Sequence, residues 1–176
     1  MDIEKLAKAV RNVPDFPIQG IQFKDVTTLF KDADILQEIV EDLYGIYKNK
    51  GITKVVGIES RGFIIGPLLA VRLNAGFIPI RKPGKLPAAV FEESYEKEYG
   101  TDTIQIHQDA IDSDDVVLLH DDLLATGGTM QAAVRLIEKF SPQKIYMNFL
   151  IELTDLKGRA GFPSNIQVDS IITYDI

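Results

Sequence analysis

One stretch constrains this chain more than any other: Val116-Val117-Leu118-Leu119-His120-Asp121-Asp122-Leu123-Leu124-Ala125-Thr126-Gly127-Gly128-Thr129. An apolar run of strand length meets two adjacent acids, then a loop carrying two glycines and two hydroxyls, then a helix. A continuous apolar run suits a strand buried on both faces, the habit of parallel sheets. Asp121 and Asp122 at its end are two like charges in a partly dry place, which is costly unless hydroxyl donors or a cation share the site. The alternative is a pair of helix-start acids favoured by the macrodipole. Ala125-Thr126-Gly127-Gly128-Thr129 lets backbone N–H groups come close to an anion at a helix start. It is not the triphosphate P-loop, since no Lys follows Gly128. Acids for ribose hydroxyls and a cradle for phosphate, in that order, fit a ribose monophosphate.

The rest of the chain alternates in the manner of an α/β protein with a mostly parallel central sheet flanked by helices. Residues 3–11 read as a short amphipathic helix on Ile3, Leu6, Ala7 and Val10, broken by Pro14-Asp15-Phe16-Pro17. A helix is expected over about 33–49, with Asp32 as N-cap and Gly51 as stop. Strands are expected at 54–58, 77–80, 116–120, 144–151 and 168–173, with helices from Gly62 to about Leu73 and from about Gly128 to Phe140. The loops at 59–62 and 121–129 follow strands and so fall at the carboxyl edge, where such sheets bind ligands. Residues 81–107 break the rhythm: a basic turn at 81–87, an acidic stretch over 88–100 and an alternating strand over 101–107. They are expected to form a hairpin carrying a long mobile loop of the lid type.

Length and composition narrow the classes. The 176 residues fit one domain, 1–176. No apolar run reaches membrane-spanning length, and Met1-Asp2-Ile3-Glu4-Lys5 lacks the design of a signal peptide, so a cytoplasmic protein is expected. There are no cysteines, which excludes disulfides and thiol catalysis, and the two histidines are too few for most histidine-rich metal sites. His120 reads as a satisfied, partly buried side chain, and His107 as structural. A formal charge of −7 argues against nucleic acid and acidic membranes as partners.

Other candidates are weaker alone. Arg61 in Ser60-Arg61-Gly62 offers a planar fork for phosphate oxygens after a strand. With Arg81, Lys82 and Lys85 it makes a cationic set on an acidic chain, although a solvated turn explains residues 81–85 equally well. Phe23 is either a stacking surface for a planar base or an ordinary core residue.

These residues carry a resemblance. Val116–Thr129 resembles the 5-phosphoribosyl 1-pyrophosphate (PRPP) motif of the type I phosphoribosyltransferases, in the form of their adenine-specific branch. Arg81–Pro87, Glu98-Tyr99-Gly100-Thr101, Ser60-Arg61-Gly62-Phe63 and, more loosely, Phe16-Pro17 with Phe23-Lys24-Asp25 are similar to that branch's other signatures, in the same order.

The resemblance implies the type I phosphoribosyltransferase fold, with a small N-terminal hood segment (about 1–32) and a flexible lid in the hairpin at about 81–107. It implies the reaction of adenine with PRPP to give AMP and pyrophosphate, with Mg2+ held mainly by substrate and water. Asp121 and Asp122 would take the ribose hydroxyls, and Ala125, Thr126, Gly127, Gly128 and Thr129 the 5′-phosphate. Ser60, Arg61 and Lys85 would meet pyrophosphate, with Arg61 and Lys85 also supporting catalysis. Glu98 would accept or relay the base's proton, and Tyr99 would help close the lid. Without the resemblance Glu98 is one exposed acid among several. Phe23, Lys24 and Leu123 would bind the base. The 6-oxopurine enzymes generally carry an acid at the position of Ala125, which favours adenine. Two positions depart from the family: Lys24 stands where Arg is common, and His120 where a small apolar residue is usual. A homodimer pairing near residues 59–85 is also implied. The rival readings are a 6-oxopurine enzyme of the same fold and a non-catalytic PRPP-sensing regulator.

Overall fold

The computed structural model describes residues 2–96 and 100–175. The chain divides into two compact units, Met1–Ile46 and Tyr47–Ile176.

In the first unit α1 (Ile3–Ala9) starts where the Asp2 side chain accepts from Lys5 N, 3.1 Å. β1 (Arg11–Pro14) and β2 (Gln22–Asp25) pair antiparallel, followed by α2 (Thr27–Phe30) and most of α3 (Ala33–Tyr47). Neither short strand nor α2 is evident from periodicity. Asp25 fastens the end of the hairpin. It accepts from Arg11 Nη2 at 2.7 Å, Thr27 Oγ1 at 2.7 Å and Thr27 N at 2.9 Å. The Thr27 hydroxyl, ahead of Arg11, holds its carboxyl below the usual range. Asp32 caps α3 as expected, accepting from Asp34 N and Ile35 N, each at 3.1 Å.

The second unit is built on a five-stranded parallel sheet: β3 (Lys54–Ile58), β4 (Gly76–Ile80), β7 (Val116–Leu124), β8 (Lys144–Leu153) and β9 (Gln167–Tyr174). The spatial order is β4-β3-β7-β8-β9. Alternation along each strand divides its residues between two faces. Val56, Ile58, Val117, Leu119, Met147 and Phe149 enter one core with α5 (Gly128–Glu138) and the hairpin β5 (Val90–Glu96)–β6 (Thr101–His107). Gly57 faces the other way, toward α4 (Gly62–Leu73). The core positions named here are under 4% exposed, and each large side chain so buried contributes about 1.5–3 kcal/mol.

Two expectations need correction. β7 does not end at His120. It runs on through the acid pair to Leu124, with Asp121 opposite Phe149 and Leu123 opposite Ile151 of β8. Most of the acidic stretch expected as a long loop is β5, in antiparallel register with β6 from Val90–His107 to Glu96–Thr101. Among the described residues no helix is long and apolar enough to cross a membrane.

Candidate active site

The strand order turns back between β3 and β7. The chain leaves β3 toward β4 on one side, then returns to add β7, β8 and β9 on the other. Loops after two such strands diverge, and the crevice between them is where open α/β sheets take ligands. Residues 59–61 and 125–127 are those loops.

A cleft of about 290 Å³ lies there, lined by residues that include Ser60, Arg61, Arg81, Lys82, Asp121 and Asp122. Its three cations are each paired with a carboxylate. Arg61 Nε donates to Asp122. Arg81 Nε and Nη2 donate to Glu59 at 3.1 and 3.3 Å, and Lys82 Nζ donates to Asp102. Glu59 also accepts from Lys82 N at 3.1 Å, and these bonds, Arg81 first, hold its carboxyl below the ordinary range. Tyr95, 8% exposed, donates its hydroxyl to Asp102 at 3.3 Å.

A second hollow of about 110 Å³ is lined by Leu123, Leu124, Ala125, Thr126, Gly127 and Gly128, among others. Asp121 and Thr129 line both spaces, so the acid pair stands where the cleft meets the glycine loop. Gly127 precedes α5 at φ 83°, in the left-handed region where a side chain is strained. Burial and then the Asp122 charge push the Asp121 carboxyl well above its usual range. One acid is thus neutralised by Arg61, while the other favours its proton or a polar ligand.

The matched sequence family is described as the phosphoribosyl transferase domain, over residues 25–168. An adenine phosphoribosyltransferase from Bacteroides thetaiotaomicron is 66% identical over 173 residues, 98% of each chain. The chain belongs to the adenine phosphoribosyltransferase family. The crystal structure of the Rhodothermus marinus family member superposes with a TM-score of 0.92 at 50% identity, covering 98% of both chains. The Saccharomyces cerevisiae member, crystallised with adenine and an imino-altritol bisphosphate, gives 0.90 at 38% identity over 97% of this chain and 98% of that one. The chain is therefore an enzyme of the glycosyltransferase class with the type I phosphoribosyltransferase fold.

Within this family member, Ser60, Arg61, Asp121, Asp122 and residues 125–129 come together around the two adjoining spaces. Leu123 is half-buried and lines the smaller one. Lys85 is exposed and does not line the cleft; its neighbour Lys82 does. Phe23 and Lys24 are half-buried on β2 in the N-terminal unit, where the Phe16 and Phe23 rings meet edge to face at 5.1 Å. Glu98 and Tyr99 lie outside the described residues. His120 is more deeply placed than expected: it is 0% exposed, with Nδ1 2.5 Å from Asn148 Oδ1. Its Nε2 has no partner among the described residues, and burial lowers its basicity. Sequence reasoning missed Glu59, Tyr95 and Asp102. An acid at the end of a strand, in the same edge as a basic turn, was the available signal for Glu59.

Proposed function

We propose that this protein transfers the 5-phosphoribosyl group of PRPP to adenine, forming AMP and pyrophosphate in purine salvage. The observation that carries the reading is the junction at Asp121 and Thr129, which line both the cleft holding Arg61, Arg81 and Lys82 and the hollow at the glycine loop. A molecule with pyrophosphate at one end of a ribose and a phosphate at the other matches that order. Adenine is the favoured base because Ala125 has no acid to serve a 6-oxopurine ring nitrogen. The relatives named above, one of them crystallised with adenine, support the same choice.

Cleavage at C1′ develops an oxocarbenium-like sugar and an anionic leaving group, and attack from the opposite face inverts that carbon. Arg61 and Lys82, lining the cleft, stabilise the departing charge, and Lys85 is assigned to the same pyrophosphate. Asp121 and Asp122 hold the ribose hydroxyls, and backbone N–H groups over 125–129 with the Thr126 and Thr129 hydroxyls hold the 5′-phosphate. Phe23 and Lys24 on their strand, and Leu123 on β7, are assigned to the base. Glu98 takes or relays the base proton, and Tyr99 helps the lid exclude water.

Magnesium belongs to the same proposal. Among the described residues no group of three or more His, Cys, Asp or Glu side chains is placed to hold an ion. Of the carboxylates that line the cleft, Glu59 and Asp122 are engaged by Arg81 and Arg61, which suits an ion carried in by pyrophosphate and ribose oxygens plus water. Bound there, it would neutralise the charge of the leaving group.

The test is AMP formation from adenine and PRPP with magnesium, beside hypoxanthine and guanine. Adenine is expected to lead in kcat/KM by about 100-fold or more, and preference for a 6-oxopurine would overturn the reading. In the same assay Glu98→Gln is expected to lose about 10²–10⁴-fold in kcat; full activity would return Glu98 to an exposed acid.

A homodimer and a cytoplasmic location complete the proposal. On α4, Ile64, Leu68 and Val71 form one apolar stripe that is 37%, 42% and 82% exposed, the kind of surface that a second subunit covers. Light scattering is expected to return twice the chain mass at micromolar concentration. A monomer mass contradicts it.

A further inference from the structure

Between β8 and β9 the chain leaves the sheet for two 3-10 turns, Thr154–Leu156 and Gly158–Gly161. Arg159 fastens that excursion. Its Nε lies 2.7 and 2.8 Å from the two Glu152 carboxylate oxygens, and Nη2 lies 2.5 Å from Oε2. Nη1 donates to the Val168 carbonyl at 2.7 Å and Nη2 to Ser170 Oγ at 3.0 Å. The Ser170 hydroxyl donates in turn to Glu152 Oε2 at 2.7 Å. Glu152 is only 6% exposed, and Arg159, ahead of Ser170, holds its carboxyl below the usual range. One guanidinium therefore ties the excursion to both flanking strands in bidentate, charge-assisted geometry.

The residue before it touches the glycine loop. A methyl group placed on Gly158 would run into the Ala125 carbonyl oxygen, and one on Gly127 would lie 2.7 Å from the Gly158 carbonyl oxygen. The two backbones meet directly, glycine to glycine. Gly158 does not line the 110 Å³ hollow, so it supports the loop from outside.

We propose that the Glu152–Arg159 pair is a positioning element for the phosphate cradle: it fixes Gly158, against which the Ala125–Gly127 backbone rests. The inference rests on reading residues 125–129 as the 5′-phosphate site. N–H donors serve a phosphate only when held within about 0.5 Å of the productive geometry, and a loop that loses its backing loses those bonds.

Calorimetry with AMP and, separately, with pyrophosphate tests it on wild-type, Arg159→Ala, Arg159→Lys and Glu152→Gln proteins, beside KM values for PRPP and adenine. Arg159→Ala is expected to weaken AMP binding and raise the PRPP KM by about tenfold or more. Pyrophosphate affinity and the adenine KM should stay within about twofold, a change too small to signal a lost contact. Arg159→Lys should recover part of the loss. Glu152→Gln should move the same way, and it carries the test if the alanine variant does not fold. A lower melting temperature with unchanged AMP affinity overturns the positioning role, as does an equal loss for AMP, pyrophosphate and adenine. Wild-type protein that binds pyrophosphate but not AMP instead overturns the cradle reading beneath it.

Discussion

Gly158→Ala is expected to cost about 100-fold in kcat/KM for PRPP while leaving a folded protein. The added methyl would meet the Ala125 carbonyl oxygen and stand 2.8 Å from Leu124 Cδ1 and 3.1 Å from Leu124 Cγ. Leu124 does not yield easily, because it is 1% exposed in the core, so the displacement falls on the Ala125 carbonyl, which belongs to the loop itself. Overpacking of this kind costs about 1–3 kcal/mol, or a fall in Tm of about 2–12 °C for a domain of this size. That is too little to unfold a typical domain, so the strain is relieved by moving the loop, and function falls more than stability. Gly161→Ala is the matched control. The atoms nearest its methyl are at the far end of the flexible Gln131 side chain, so near wild-type kinetics are expected. Steady-state assays and thermal melts on both variants decide the point, and wild-type kinetics in Gly158→Ala would show that the loop is not set by this contact.

The sheet was legible because its strands are continuous apolar runs and its ligand edge follows from their parallel order. The exceptions share a physical cause, which is charge compensated from a distance. Asp121 and Asp122 look like the end of a strand by composition, yet Arg61, 61 positions away from Asp122, offsets the second acid and the backbone keeps its pairing with β8. β5 hides its alternation in the same way. Glu93 falls at a half-buried position, where Arg135 at 3.7 Å and Lys139 at 3.8 Å on the helix side accompany it. A periodicity reading counts that acid as facing solvent. The Glu59–Arg81 and Lys82–Asp102 pairs at the cleft also join residues distant in sequence, 22 and 20 positions apart. Gly158 was invisible for the opposite reason, since what it contributes is the lack of a side chain.

Arg61→Ala should carry two signatures at once, one kinetic and one thermodynamic. Removing a cation from the leaving-group side of the cleft is expected to lower kcat by about 10²–10³-fold. It also strands Asp122, whose side chain is 6% exposed, beside Asp121. Breaking a fully buried pair costs about 3–5 kcal/mol, but Arg61 is 42% exposed and solvent screens part of its charge, so about 1–2 kcal/mol is the appropriate scale. The sign with pH follows from Asp121. Its folded-state carboxyl already titrates above the unfolded value of 3.8, through burial and the Asp122 charge, while the Asp122 backbone N–H and, after it, the Arg61 charge pull it partly back down. A carboxyl raised in the folded state contributes stability below its unfolded value and loses it as pH rises through the folded one. Without Arg61 that upward shift grows, so the variant's deficit in Tm should be small near pH 4 and largest at neutral pH. Arg61→Lys, which keeps the charge without the fork, should restore most of the stability and less of the rate. A deficit in Tm that is the same at both pH values would show that Arg61 acts by packing alone.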